Sequence, residues 1–169
     1  MPHFTIISGG QTGVDTAALK AAIALRMPYR GWVPRGFTNE TGVISEDYRV
    51  HLRETPSSEN AQRTEWNMRD ADMILTLLRG SRDRAVGGTK LGVDVAAGAA
   101  KPMCFVDLTS DWKAEIIRVK AWMEATDRKE YSIAVGGPRE SEEPGIEVEA
   151  TRFLTDALGS SGWPISIDL

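Results

Sequence analysis

The chain has 169 residues, of which 41% are hydrophobic and 26% charged, and its formal net charge is -4 at pH 7. This length suits one α/β domain with a proper core and is too short for two, so we expect a single domain over residues 1–169. The acidic balance argues against nucleic acid as a partner, because proteins that bind duplexes are usually basic.

A lone cysteine, Cys104, excludes an internal disulfide and is typical of a reducing compartment. His3 and His51 are the only histidines, so no histidine-rich metal site is expected, and we predict no metal ligands. No secretory leader and no apolar run of membrane-spanning length are present, so we expect a cytoplasmic protein without membrane contact.

The first chemical motif is S-G-G-Q-T-G-V-D at Ser8–Asp15, which follows the apolar run Phe4–Ile7. Apolar spacing over Val14–Leu25 predicts that a helix begins directly after it. Glycines let backbone N–H groups approach a ligand, and a helix N-terminus favours negative charge, so the motif suits a phosphate. The alternative is a tight turn between strand and helix that binds nothing.

Arg30–Val33 predicts a second strand, and Phe37–Ser58 follows without a clear period. So long a loop inside a compact domain is often functional. The alternative is a surface excursion that Tyr48 and Leu52 anchor to the core.

Glu59–Arg69 predicts a helix with two stripes. The stripe expected to face the core is Ala61, Thr64, Met68 and Ala71. The second stripe is Arg63, Trp66, Asn67 and Asp70. It indicates either a ligand-binding face or a surface of ion pairs with a half-buried tryptophan.

Asp72–Leu78 predicts a strand buried in a parallel sheet. The loop after it carries Arg79, Arg82 and Arg84 and ends in a second glycine turn, Gly87–Thr89, before a helix predicted over 90–100. The three arginines indicate anion capture, and a solvated flexible loop is the alternative.

Pro102–Val106 and Tyr131–Val135 predict two further strands, separated by an amphipathic helix that begins near Trp112. The last strand leads into a third glycine-bearing exit, Gly136–Glu142, and a final helix follows.

Strands therefore alternate with helices, which predicts an α/β fold: a three-layer Rossmann-like sandwich with a mainly parallel sheet of about five or more strands. Ligands of such sheets bind beyond the carboxyl ends of the strands. All three glycine turns lie at carboxyl ends, and right-handed crossovers bring those ends to one edge. A ligand site at that edge is therefore favoured over a purely structural role for the turns.

These motifs resemble those of the SLOG superfamily. Ser8–Asp15 resembles its S-G-x-x-x-G-[IV]-D element, and Gly87–Thr89 resembles its P-G-G-x-G-T turn. Arg63, nine residues before Asp72, resembles the arginine helix of the Lonely-Guy phosphoribohydrolases. Gly137–Arg139 resembles the G-[SP]-R turn that ends the first strand in most members. Here it ends the last predicted strand, as a circular permutation would explain.

The whole pattern closely resembles the circularly permuted YpsA-like family, whose members are widely labelled molybdenum carrier proteins. The shared motifs run from Gly9 to Ser141 and are G-G-Q-T-G-V-D, G-W-V-P-[KR]-G, E-T-x-S, R-T-x-W-N, G-G-T and G-P-R-E-S. The resemblance implies a Rossmann-like fold, a nucleotide or nucleotide-derived phosphorylated ligand, and a homo-oligomer. The molybdenum cofactor, a pterin that bears a phosphate, would suit the same anion-binding edge.

One departure concerns catalysis. Lonely-Guy enzymes carry a glutamate soon after the glycine turn, whereas Thr89 here is followed by K-L-G-V and the next acid is Asp94. Cleavage of an N-glycosidic bond needs a carboxylate beside the ribose. Glu65 or Asp15 are the possible substitutes, and the phosphoribohydrolase-like reaction is not the favoured prediction.

We therefore expect a ligand-binding protein, with an enzyme acting on a nucleotide or nucleotide sugar as the alternative and a DNA-interacting protein as the least favoured. Glycines of the first turn would hold a phosphate, Arg63 and Arg139 would neutralise charge, and Asn67 and Glu140 would recognise polar groups. The predicted ligand-binding residues are Gly9, Gly10, Gln11, Thr12, Gly13, Asp15, Arg63, Asn67, Gly87, Gly88, Thr89, Gly137, Arg139 and Glu140.

Overall fold

The computed structural model describes residues 3–159. Residues 160–169, for which the sequence predicts no element, lie outside that range. The strands are β1 (His3–Ile7), β2 (Tyr29–Val33), β3 (Thr38–Asn39), β4 (Gly42–Val43), β5 (Leu52–Glu54), β6 (Met73–Leu78), β7 (Met103–Asp107) and β8 (Glu130–Gly136). The helices are α1 (Val14–Ala24), α2 (Glu46–Arg49), α3 (Asn60–Asp70), α4 (Gly87–Gly98), α5 (Trp112–Glu124) and α6 (Ile146–Leu158), with a 3-10 turn at Arg82–Arg84.

Six of the strands form one parallel sheet in the order β5-β2-β1-β8-β6-β7. The last strand, β8, lies between β1 and β6, where Ile133 is opposite both Ile6 and Met73. Helices flank the sheet, so the predicted Rossmann-like α/β fold is confirmed. The chain leaves β1 toward β2 on one side, while β6 and β7 occupy the other side. Open α/β sheets bind ligands at such a reversal of strand order.

The two faces of the sheet are filled unequally. Met73, Leu75 and Leu77 of β6 point to the face that packs on α1, α5 and α6 in the larger core, which includes the fully buried Phe153. On the opposite face, which α3 and α4 cover, Ile74 belongs to a much smaller cluster. The small cluster leaves room between the sheet and these two helices.

The segment predicted as a long loop, residues 37–58, holds more structure than expected. It contains the hairpin β3–β4, the short helix α2 and the edge strand β5. Leu52 is 5% exposed and packs in the larger core with the half-buried Tyr48, so these two residues anchor the segment as the alternative interpretation of the loop predicts. The sequence did not reveal β5 because only one of its three residues, Leu52, is buried.

The inward face of α3 also differs from the prediction. Arg63 and Asn67 are buried together with Thr64, whereas Ala61 is exposed. Thr64, Met68 and Ala71 of the predicted stripe do face the core. The prediction is therefore wrong for Ala61 and missed that the inward face also includes Arg63 and Asn67. Among residues 3–159, no helix has the length and apolar character needed to cross a lipid bilayer.

Candidate ligand-binding site

A cavity of about 230 Å³ lies between the sheet and the two helices α3 and α4. Strands β1, β6 and β8 form its floor with Ile7, Ile74, Thr76, Ala134 and Gly136. Side chains of α3 form one wall, and the first two turns of α4 form the other. The cavity also reaches the turns after β1 and β8, so it lies at the carboxyl edge that the sequence predicted.

The buried guanidinium of Arg63 lies directly over Gly9. A Cβ added to Gly9 would be 1.9 Å from Nη1 of Arg63 and 2.9 Å from Oδ2 of Asp15. Residue 9 must therefore lack a side chain for the arginine to reach its position. Nη1 donates to Oδ2 of Asp15 at 2.8 Å, and both side chains are only 10% exposed.

The Arg63–Asp15 pair leaves part of its bonding capacity unused. Oδ2 of Asp15 also accepts the Gln11 backbone N–H at 3.2 Å. Burial raises the pKa of Asp15 above its ordinary value, although the nearby Arg63 charge and these hydrogen bonds oppose that rise. Nε of Arg63 is buried and has no hydrogen-bond partner among the described residues. An unpartnered buried cationic donor is costly, so an acceptor that reached it after a small shift of the side chain would be stabilising.

Backbone donors of the first glycine turn are largely occupied within the chain. Gly10 N–H donates to Oγ of Ser8 at 3.2 Å, and Thr12 N–H donates to the Gln11 side-chain oxygen at 3.0 Å. Neither Gly10 nor Thr12 lines the cavity. The geometry of these two residues therefore matches the alternative interpretation of this turn, a tight connection between strand and helix.

The first and third glycine turns pack against each other. A Cβ on Gly13 would be 2.2 Å from the carbonyl oxygen of Pro138, and one on Gly137 would be 2.4 Å from that of Leu77. Glycine is needed at both positions because backbone lies where a side chain would begin. Gly13 also has φ of +75°, a conformation that other residues rarely adopt.

The second glycine motif, Gly87–Thr89, forms the first turn of helix α4. The sequence had predicted a separate turn before the helix. The helix begins at Gly87, and its preceding residue, Val86, provides no side-chain cap. The first N–H groups of a helix have no partner within the helix and carry partial positive charge. Gly88 and Thr89 line the cavity, so this helix end supplies donors at its mouth.

The cavity brings together most of the predicted ligand-binding residues. Those that line it are Gly9, Gln11, Asp15, Arg63, Asn67, Gly88, Thr89, Gly137 and Arg139. Those outside its lining are Gly10, Thr12, Gly13, Gly87 and Glu140.

Two side chains that were predicted to recognise polar groups make structural bonds instead. The amide of Asn67 accepts the Trp32 N–H at 2.7 Å and donates to the Trp32 carbonyl at 2.9 Å, which ties α3 to β2. The carboxylate of Glu140 accepts the N–H of Gly145 and, at 3.0 Å, that of Glu147 at the start of α6. Both side chains already bond within the chain.

The three arginines of the loop after β6 lie outside the cavity lining. Arg79 donates to Glu149 at 2.6 Å and to Glu143 at 3.3 Å, and Arg84 is 3.7 Å from Glu143. Arg82 stacks over the Phe105 ring at 4.7 Å. These contacts of the three arginines do not match the prediction that the loop captures an anion at the site.

Residues that the sequence reasoning missed include Thr76, Gly136 and Glu142, all in the lining. Thr76 is 3% exposed, and its hydroxyl makes no hydrogen bond within residues 3–159. The sequence did contain a signal for Thr76, because it is the one polar residue in the buried run Met73–Leu78. Glu142, which accepts from Arg139 at 3.2 Å, ends the third glycine-bearing exit but was not among the predicted ligand-binding residues.

A hairpin closes over the first glycine turn through Glu40. Glu40 N–H donates to the Gln11 side-chain oxygen at 3.0 Å, and its carboxylate accepts from the hydroxyls of Thr12 and Ser141. Burial disfavours ionisation of Glu40, but the bonds from Ser141 and Thr12 outweigh it and lower its pKa. The same carboxylate lies 3.7 Å from Arg139, so the hairpin also holds one cation of the cavity lining.

The described residues contain no group of three or more His, Cys, Asp or Glu side chains that could hold a metal ion.

Comparisons with known proteins agree with the fold and the motif pattern. The model of the circularly permutated YpsA SLOG family matches residues 6–158. A solved structure of a "putative molybdenum carrier protein" from Syntrophus aciditrophicus SB is similar over 94% of this chain and 96% of that chain, with a TM-score of 0.85 and 33% sequence identity. No curated protein matches the chain. The chain therefore belongs to the circularly permuted YpsA family of the SLOG superfamily.

Proposed function

We propose that this protein binds a small phosphorylated, nucleotide-type ligand in the cavity between α3, α4 and the sheet. Its anionic group would be received by Arg63 and by the N-terminus of α4. The observation that carries the proposal is the buried Nε of Arg63, which has no partner among the described residues although its side chain lines the cavity. A phosphate oxygen would satisfy that donor with a charge-assisted hydrogen bond.

The uncapped first turn of α4 supports the same placement. Gly88 and Thr89 lie in the lining, and a helix N-terminus with free N–H groups is a favourable environment for an anion. The proposal therefore assigns the phosphate to α4, whereas the sequence assigned one to the turn before α1.

A reaction at the same cavity is the second candidate, and Asp15 is the reason to consider it. Burial raises its pKa, and a protonated carboxyl can act as a general acid. Against a phosphoribohydrolase-like reaction, the lining carboxylates Asp15 and Glu142 both bond to arginines. Glu65, the other predicted substitute, is exposed and lies outside the lining. Incubation with nucleoside monophosphates and nucleotide sugars, followed by chromatography for released base, tests this candidate.

The name of the similar structure from Syntrophus aciditrophicus refers to molybdenum. The molybdenum cofactor is a pterin with a phosphate, and that phosphate could use Arg63 and the α4 N-terminus as any other would. It is therefore one ligand to look for among several.

Native mass spectrometry of gently purified protein, followed by identification of released molecules, tests the proposal first. Calorimetric titration with phosphorylated probes then measures affinity for the wild type, Arg63→Gln and the matched control Arg82→Gln, which removes the same charge outside the cavity. We expect about a tenfold or greater loss of affinity for Arg63→Gln and none for Arg82→Gln. Equal affinities in all three proteins would contradict the proposal.

A further inference from the structure

We propose that the ligand is a compact ring bearing a single phosphate, such as a sugar monophosphate or a nucleoside monophosphate, whose ring enters the cavity to reach Thr76. This inference rests on the proposed function and concerns the size and charge of the ligand. It is drawn from the charge balance, volume and floor of the cavity.

Charge balance limits the ligand to few negative charges. The charged side chains of the lining are two carboxylates, Asp15 and Glu142, and two guanidiniums, Arg63 and Arg139. Arg139 is already within 3.7 Å of Glu40 and bonds to Glu142, whereas Arg63 is the lining guanidinium with a buried donor that has no partner among the described residues. The two guanidiniums and two carboxylates of the lining cancel, so an anion is attracted by the unpaired donor of Arg63 and by the partial positive charge of the α4 N-terminus. A single phosphate adds a charge of about -1.5 to -2 at pH 7. A di- or triphosphate would bring further charges that no free cation of the lining meets.

The volume of the cavity also limits the size of the ligand. The cavity measures about 230 Å³. Pockets for drug-sized ligands usually measure about 300–1,000 Å³, so this one encloses a smaller group. Ile7, Ile74 and Ala134 give the floor an apolar surface. This surface favours a ligand whose ring can pack against it.

Within that apolar floor, Thr76 presents a hydroxyl without a partner. Its residue is 3% exposed and lies beside Gly136 in the β6–β8 ladder. A ligand that covers this hydroxyl without bonding to it would incur a desolvation cost, so a polar atom of the ligand is favoured there. We therefore assign Thr76 as a specificity residue that bonds to a polar atom of the ring.

Gly136 keeps the space in front of Thr76 open. A Cβ added there would meet no atom within 4 Å, although the residue lines the cavity and its backbone needs no positive φ. A side chain at this position would therefore occupy the space of the ligand without displacing protein atoms. Gly98, at the end of α4, also has open space where a Cβ would stand but does not line the cavity, so it is the matched control.

The experiment titrates four probes, inorganic phosphate, ribose 5-phosphate, AMP and ATP, into the wild type and the variants by calorimetry. We expect ribose 5-phosphate or AMP to bind at least about tenfold more tightly than ATP, and their comparison distinguishes a sugar phosphate from a nucleotide. Gly136→Val should abolish binding of the ring-bearing probes yet retain inorganic phosphate and the wild-type melting temperature. Gly136→Ala should have a partial effect, and Gly98→Ala none.

Thr76→Val keeps the side-chain shape and removes the hydroxyl. It should lower affinity for the preferred monophosphate about three- to tenfold without lowering the melting temperature. ATP binding as tightly as the monophosphates, or wild-type affinities in Gly136→Val, would overturn this inference and leave the proposed function intact provided that binding still required Arg63. If no probe binds, inorganic phosphate included, the proposed function fails and this inference fails with it.

Discussion

Gly9 and Arg63 are sterically matched, since a Cβ on residue 9 would lie 1.9 Å from Nη1 of the arginine. The S-G-G motif therefore has a function that its glycines alone did not reveal. Its first glycine makes space for a cation supplied by α3, 54 positions along the chain.

The first prediction concerns this match. Gly9→Ala should displace the Arg63 guanidinium, weaken its buried bond to Asp15, and destabilise the protein by about 1–3 kcal/mol, as is typical when an extra methyl group is forced into a packed site. Chemical denaturation measures the change, and Gly98→Ala is the control because its Cβ enters open space. In a double-mutant cycle, Gly9→Ala should cost much less when Arg63 is already alanine. Additive effects would show that the two residues are independent.

The second prediction concerns Asp15 and pH. Burial raises its folded-state pKa above the ordinary value of 3.8, so the folded protein holds this proton more strongly than the unfolded chain. The free energy of unfolding should therefore fall as pH rises from about 3.8 through the raised folded pKa. Asp15→Asn cannot titrate and should lack this part of the pH dependence. The test is the difference in unfolding free energy between wild type and Asp15→Asn across pH, and a flat difference contradicts the assignment.

The third prediction concerns Glu40, whose contribution to stability should change with pH in the opposite direction to that of Asp15. Its pKa is lowered below the ordinary value of 4.5, so its stabilising contribution is present above that value and is lost as pH falls through the folded pKa. Glu40→Gln should weaken the contacts of the hairpin with Ser141 and Thr12. Hydrogen exchange at Glu40 and Ser141 N–H should become faster, with the global melting temperature changed by only a few degrees. Unchanged exchange at both amides would show that the carboxylate does not hold the hairpin.

The fourth prediction separates structure from recognition at Asn67. Because both amide atoms bond to the backbone of Trp32, Asn67→Leu should leave a partly buried N–H and a partly buried C=O unsatisfied. We expect a loss of about 2–5 kcal/mol in the free energy of unfolding. Thermal and chemical denaturation of the ligand-free protein check it. Wild-type stability with impaired ligand binding would instead support the recognition role predicted from the sequence.

Much of the fold could be predicted because its signals are local. The continuous apolar run of β6 and the repeat of Ala150, Phe153 and Leu154 in α6 each specify their element, and the structure confirms both. The edge strand β5 could not be found, since Arg53 and Glu54 are exposed and only pairing with β2 gives them strand geometry.

The place of the candidate cavity could be predicted from the sequence, but the contacts of its side chains could be predicted only in part. Motifs located Arg63, Asp15 and Gly88 at one edge, and the cavity brings them together. Sequence could not show that the amide of Asn67 is occupied by Trp32, because that contact joins residues 35 positions apart. Nor could it show that donors such as the Thr12 N–H are satisfied within the turn.

The central claim is that Arg63 and the first turn of α4 receive a phosphate. NMR spectra of isotopically labelled protein titrated with AMP test it directly, because the Nε–H of Arg63 and the amides of Gly88 and Thr89 give separate signals. We expect saturable shifts of these three signals, with the Gly10 and Thr12 amides nearly unchanged. Saturable shifts confined to Gly10 and Thr12, or no shifts at millimolar AMP and inorganic phosphate, would contradict it.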